Sequence, residues 1–123
     1  PNIKNMTIEI LIGNKTFQAD IEDSETGRAF YSLLPMKLSM SELNGNEKYH
    51  YLSSSLPTKA QYYGSISAGD LMLFGSSCVV LFYGSAGGYS YTRIGKLKST
   101  SGLSTAVGSS NVTVEFRRPE GVE

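Results

Sequence analysis

The sequence contains no tryptophan, one cysteine, one histidine and no excess of either charge. A lone Cys78 excludes an internal disulfide, and its apolar neighbours mark it as a small core residue rather than a nucleophile. Lys+Arg 11 balance Asp+Glu 11, so the basic excess that draws a protein onto a phosphate backbone is missing and nucleic-acid partners are not expected. No apolar run approaches the roughly 20 residues a membrane-spanning helix needs. His50 has no Cys, His or carboxylate at metal-ligand spacing, which argues against zinc. A Gly-x-Ser-x-Gly nucleophile elbow is absent. The glycine-rich residues 84–88 lack the Lys-Ser/Thr of a phosphate loop and do not open a helix. Neither a cofactor nor a metal is therefore expected. The chain starts at Pro1, which fits loss of an initiator Met or of a longer segment; the compartment stays open between cytoplasmic and exported after signal removal. The oligomeric state is not readable.

What the sequence does contain is glycine (Gly 13) and tyrosine (Tyr 8) in a pattern of short strands and tight turns. Residues 69–97 organise the rest. A short apolar strand (71–74), the turn Gly75-Ser76-Ser77, a continuous apolar strand (78–83), a glycine-rich turn (84–88) and a longer strand (89–97) follow one another. The unbroken run at 78–83 suits a strand covered on both faces. Residues 6–12 alternate, with Ile8, Ile10 and Ile12 on one face. Gly13-Asn14 is read as a two-residue turn with positive φ, and Phe17, Ala19 and Ile21 face inward on the return strand.

The period changes at residue 23. Asp23 or Ser24 caps a helix carrying Phe30, Leu33 and Leu34 on its apolar face, and Pro35 ends it. Residues 35–43 and 47–52 are strands about the turn Asn44-Gly45-Asn46, with Tyr49 and Tyr51 on one side and Lys48, His50 and Leu52 on the other. His50 is expected in solvent beside Lys48. Residues 53–64 read as a long surface loop holding a short extended piece. Asp70 is assigned a turn hydrogen bond. Ser101 is the expected cap of a helix carrying Leu103 and Val107, with Gly108 past its end. Val112, Val114 and Phe116 face inward on the last strand, and residues 118–123 read as a frayed end. Seven or eight such strands with two short helices make an antiparallel sandwich or a closed barrel, and the 123 residues read as a single domain.

Four segments, AFYSLLPMKLSMSELNGNEKYHYL (29–52), ISAGDLMLFGSSCVVLFY (66–83), YSYTRIGKL (89–97) and NVTVEF (111–116), resemble the small prokaryotic cyclophilin-like proteins. The resemblance spans nearly the whole chain. It implies a mainly β fold, a closed eight-stranded antiparallel barrel with two short helices capping its ends, and it carries no settled activity. True cyclophilins are prolyl isomerases whose catalytic pattern is an Arg on a strand followed by Phe, Gln and two glycines. The corresponding residues 48–64 contain no Arg.

A prolyl isomerase lowers a barrier of about 20 kcal/mol by holding a cationic donor over an apolar pocket. The only arginine in the central strands is Arg93, at a spacing of two from Tyr91 and Tyr89. Arg93 therefore either contacts an anion or a peptide carbonyl within an aromatic groove or stacks on Tyr91 at the barrel surface. Glu47 is its natural ion-pair partner, and Tyr51, Tyr62 and Tyr63 are candidates for the same groove. The expected ligand-binding set is Glu47, Tyr51, Tyr62, Tyr91 and Arg93. The expected function is a non-catalytic module that binds a small ligand or peptide, with a divergent prolyl isomerase as the alternative.

Overall fold

A computed structural model describes residues 6–119 of the chain. Nine strands and two helices are present among them: β1 (Thr7–Ile12), β2 (Lys15–Ile21), α1 (Glu25–Ser32), β3 (Met36–Leu43), β4 (Glu47–Tyr51), β5 (Gln61–Tyr63), β6 (Asp70–Phe74), β7 (Cys78–Phe82), β8 (Tyr89–Leu97), α2 (Leu103–Val107) and β9 (Val112–Arg117). Eight of the strands follow the order β2-β1-β9-β3-β4-β7-β6-β8, and β8 pairs back onto β2. Every pairing is antiparallel, so the sheet closes into a barrel and leaves no free edge. The ninth strand, β5, pairs with the first half of β8 outside this ring, Gln61 opposite Tyr91 and Tyr63 opposite Tyr89. It is the extended piece within the 53–64 segment.

Alternation fills the interior. Ile8, Ile10, Ile12, Ala19, Leu71, Leu73, Val79, Leu81, Val114 and Phe116 belong to one buried cluster. The closing seam needs Gly95, because a Cβ there would lie 2.4 Å from the Asp20 carbonyl oxygen. β2 and β8 run antiparallel with Ala19 opposite Leu97, so helices that follow each of them leave from opposite rims. α1 plugs one rim with Phe30, whose ring meets Phe116 edge-on at 5.6 Å; α2 plugs the other with Leu103 and Val107.

Strand β7 is covered on both sides, as its unbroken apolar run implies. Val79 and Leu81 join the interior. Cys78, Val80 and Phe82 join a second, external cluster with Ile66, Met72 and Tyr91. Cys78 is buried, as its neighbours require.

Several local expectations are corrected. Gly13 has positive φ, whereas Asn14 does not; Asn44 and Gly45 both do. Ser24 caps α1 through the Gly27 N–H, but Leu33 is the helix's C-cap and is exposed, so only Leu34 of that pair is buried. α2 starts from Gly102 in the left-handed region without a side-chain cap, so Ser101 does not cap it. Lys48 is fully buried, and His50 is half-buried with Nδ1 2.8 Å from the Ser39 carbonyl oxygen. Arg118, expected to fray, donates to the Tyr31 carbonyl oxygen at 3.0 Å and lies over the Tyr31 ring. The rest of that expected frayed end, from residue 120 on, lies outside the described residues.

Candidate functional site

The external cluster does not cover the whole outer face of the barrel. Beside it a groove of about 340 Å³ runs across β4, β7, β6 and β8. Period-two alternation on β4 sends Glu47, Tyr49 and Tyr51 into it. Opposite them, β7 supplies Cys78 and Val80, which form the floor. Phe74 at the end of β6 and Tyr89 and Tyr91 on β8 close the far side. Tyr91 is held between two phenylalanines, Phe74 at 5.8 Å and Phe82 edge-on at 5.7 Å. Tyr49 and Tyr51 meet edge-on at 6.1 Å. The rim is exposed: Tyr51, Tyr89 and Phe74 all present large rings to solvent, an apolar surface that a folded chain does not need for its own packing.

Glu47 is the one acidic group in this lining. It is 9 % exposed, and its carboxylate has neither an ion-pair partner nor a side-chain hydrogen bond among the described residues. Burial pushes its carboxyl above the ordinary range, and the nearby Glu42 charge adds to the shift. Burial likewise raises the Cys78 thiol. The Tyr91 hydroxyl is raised first by burial and then by the Glu47 charge.

Arg93 lies elsewhere. Its guanidinium donates to Asp70 Oδ1 at 3.1 Å and sits 5.5 Å from the centre of the Tyr63 ring. Burial works to lower its pKa, and the hydrogen bond it donates to Asp70, the Asp70 charge and the neighbouring Tyr63 together outweigh this and raise it. Asp70 also accepts the Ser67 N–H at 3.0 Å, the turn bond expected of it, and has Lys96 at 3.6 Å. The expected Glu47–Arg93 pair is thus replaced by Asp70–Arg93, and the expected stack on Tyr91 by one on Tyr63. Asp70 stands just upstream of Met72, which pairs with Arg93 across a bulge at Ile94; a bulge is invisible in the alternation of β8. Arg93 and Tyr63 instead border a polar cleft of about 600 Å³ with Glu22, Glu25 and Lys59.

Of the five expected site residues, Glu47, Tyr51 and Tyr91 share the groove. Arg93 borders the other cleft, and Tyr62 is exposed on β5 and lines neither. Tyr49, Tyr89 and Phe74 belong to the groove and were not in the expected set. Spacing carried the signal for the two tyrosines, which alternate in phase with Tyr51 and Tyr91.

A family model described as the Cyclophilin-like family matches residues 10–117. Among solved structures, a hypothetical protein of Archaeoglobus fulgidus, determined in solution, superposes with a TM-score of 0.63 at 18 % identity, covering 94 % of this chain and 96 % of that one. This likeness concerns the fold alone. No curated protein matches the chain.

Proposed function

The chain belongs to the cyclophilin-like family, and from that premise we propose that it is a non-catalytic binding module whose ligand, a small molecule or a peptide side chain, occupies the tyrosine groove. The observation that carries this reading is the groove itself: exposed rings at its rim and, in its lining, the buried Glu47, which has no ion-pair or side-chain hydrogen-bond partner among the described residues. A protein that only had to fold would gain by filling such a space or removing the charge.

Isomerase chemistry is the weaker reading. It requires a cationic donor free to reach the proline nitrogen, and Arg93 is already bonded to Asp70 and lies over Tyr63. The cleft beside it is lined by Glu22, Glu25 and Lys59 rather than by an apolar pocket.

A nuclear magnetic resonance screen of uncharged fragments and short peptides tests the proposal. The expected result is shifts concentrated on Tyr49, Tyr51, Tyr89 and Tyr91; shifts confined to other surfaces, or none, would overturn it. A coupled isomerisation assay on an X-Pro peptide is expected to give no turnover. Turnover abolished by Arg93→Ala would reinstate the enzyme.

A further inference from the structure

We propose that the groove is a receptor for a small molecule bearing an alkylated ammonium group, with tyrosine faces around the cation and the Glu47 carboxylate as its counter-charge. This rests on the groove being a binding site and specifies what it binds.

Charge decides first. Glu47 is 9 % exposed, and the lining contains no lysine or arginine. An anionic ligand would meet a like charge there. A neutral apolar ligand would strip the remaining water from a carboxylate and give nothing in return, a costly arrangement. A neutral donor offers the carboxylate one hydrogen bond, whereas a cation also supplies the counter-charge.

The kind of cation follows from what surrounds the carboxylate. A bare metal ion needs several oxygen or nitrogen ligands, and no group of three His, Cys, Asp or Glu suited to one exists among the described residues. What shares the groove with Glu47 is mainly aromatic, Tyr49, Tyr51, Tyr89, Tyr91 and Phe74, beside Leu43, Asn44, Cys78 and Val80. Aromatic faces attract a diffuse, weakly hydrated cation through the ring quadrupole, and alkylated ammonium groups are the ions best suited to this. The space of about 340 Å³ is at the lower end for small-molecule sites, which favours a compact molecule over a peptide segment.

The test uses choline and its uncharged isostere 3,3-dimethylbutan-1-ol, titrated into the intact chain by nuclear magnetic resonance. Choline is expected to shift Tyr49, Tyr89 and Tyr91 and to bind about tenfold more tightly than the alcohol, the scale of one cation–aromatic and counter-charge contribution. Glu47→Gln is expected to remove that advantage by weakening choline, with alcohol binding the same or tighter once the carboxylate's desolvation cost is gone. Equal binding of the two probes, or choline binding unchanged in Glu47→Gln, overturns the cation assignment and leaves the groove reading intact. A trimethyllysine peptide binding more than tenfold tighter than choline would overturn the small-molecule occupant. Silence with both probes overturns the cation assignment, and the groove reading then falls only if the uncharged screen is silent too. Unchanged amide dispersion in Glu47→Gln confirms that a lost signal is not lost folding.

Discussion

Two glutamates stand on either side of the turn between β3 and β4, and the fold treats them in opposite ways. Glu42 accepts from Lys48 Nζ at 2.8 Å, from the Tyr83 hydroxyl at 2.6 Å and from the Gly45 N–H at 2.6 Å. The hydrogen bond from Lys48, followed by that from Tyr83, holds its carboxyl below the usual range, while Tyr83 is pushed up to about 12, first by burial and then by Glu42. Glu47 is more deeply buried and has no such partner among the described residues. The same hairpin thus carries one carboxylate used to lock the chain and one left available. The difference singles out Glu47 better than the count of aromatic residues does, because tyrosines are ordinary barrel residues and a buried carboxylate without a partner among the described residues is not.

The largest effect should come from breaking the locked side. Lys48 is fully buried and also donates to the carbonyl oxygens of Gly108 at 3.0 Å and Ser110 at 2.5 Å, tying the segment after α2 to β4. Lys48→Met leaves these three acceptors without their donor. It should lower the unfolding free energy by about 3 kcal/mol, the lower end for breaking a buried pair, because Glu42 keeps 21 % of its side-chain exposure. Urea denaturation measures it. A loss below 1 kcal/mol would mean that Lys48 is no lock.

Glu47→Gln should do the reverse. A carboxyl raised by burial destabilises the folded state progressively as pH rises above the unfolded pKa, and in full above the folded one, since the unfolded chain ionises more easily. At pH 7 the variant should therefore be as stable as the parent or more so, and at pH 3.5, where both forms are neutral, the two should converge. A clear loss at pH 7 would show a partner for Glu47 and collapse the comparison.

Acidification sharpens it further. Cys78 from β7, Tyr89 and Tyr91 from β8, and Tyr49 and Tyr51 of β4 itself share the groove with Glu47, and the Glu42 charge on β3 reaches it; Lys48 and His50 alternate to the other face of β4. With Glu42 lowered and the Cys78 and Tyr91 groups raised, the raised Glu47 is the carboxyl that protonates before Glu42 on acidification. Choline affinity should fall with it, towards one proton taken up for each ligand released. Glu42 should keep its full contribution to stability above the unfolded carboxyl pKa and lose it only progressively below that, down to its own lowered pKa. Calorimetry in buffers of different ionisation enthalpy reads the proton count, and a pH-independent affinity would remove Glu47 from the site.

Much of this was legible in the residues, and the part that was not has identifiable physical causes. Alternation along β1, β2, β7 and β9 marks the interior, because each strand buries one face and β7 both. The Tyr49–Tyr51 and Tyr89–Tyr91 phases place four rings outward, and the groove forms where β7 and β6 bring them together. Arg93 was misassigned for a different reason. Its partner was chosen by charge along β4, whereas the bulge at Ile94 and the β6–β8 pairing deliver Asp70 instead. The face of β4 that carries Lys48 and His50 reads as solvent-facing at His50, yet backbone carbonyls after α2 and the Glu42 carboxylate make burial of its Lys48 tolerable. Both misses depend on contacts far apart in sequence, which neither alternation nor turn chemistry encodes.

The smallest effects separate position from exposure. Tyr62 is 69 % exposed and Tyr89 62 %, so truncating either should cost little stability, within about 0.5 kcal/mol for a surface site. They differ in where they stand. Tyr89 borders the groove, whereas Tyr62 lies on β5 opposite Ser90 and lines neither cleft. Tyr89→Ala should weaken choline binding by about threefold, the loss of one exposed cation–aromatic contact, and Tyr62→Ala should leave it unchanged. If the two variants lost affinity equally, choline would be meeting aromatic surface in general. The partnerless carboxylate would then have no special claim on it.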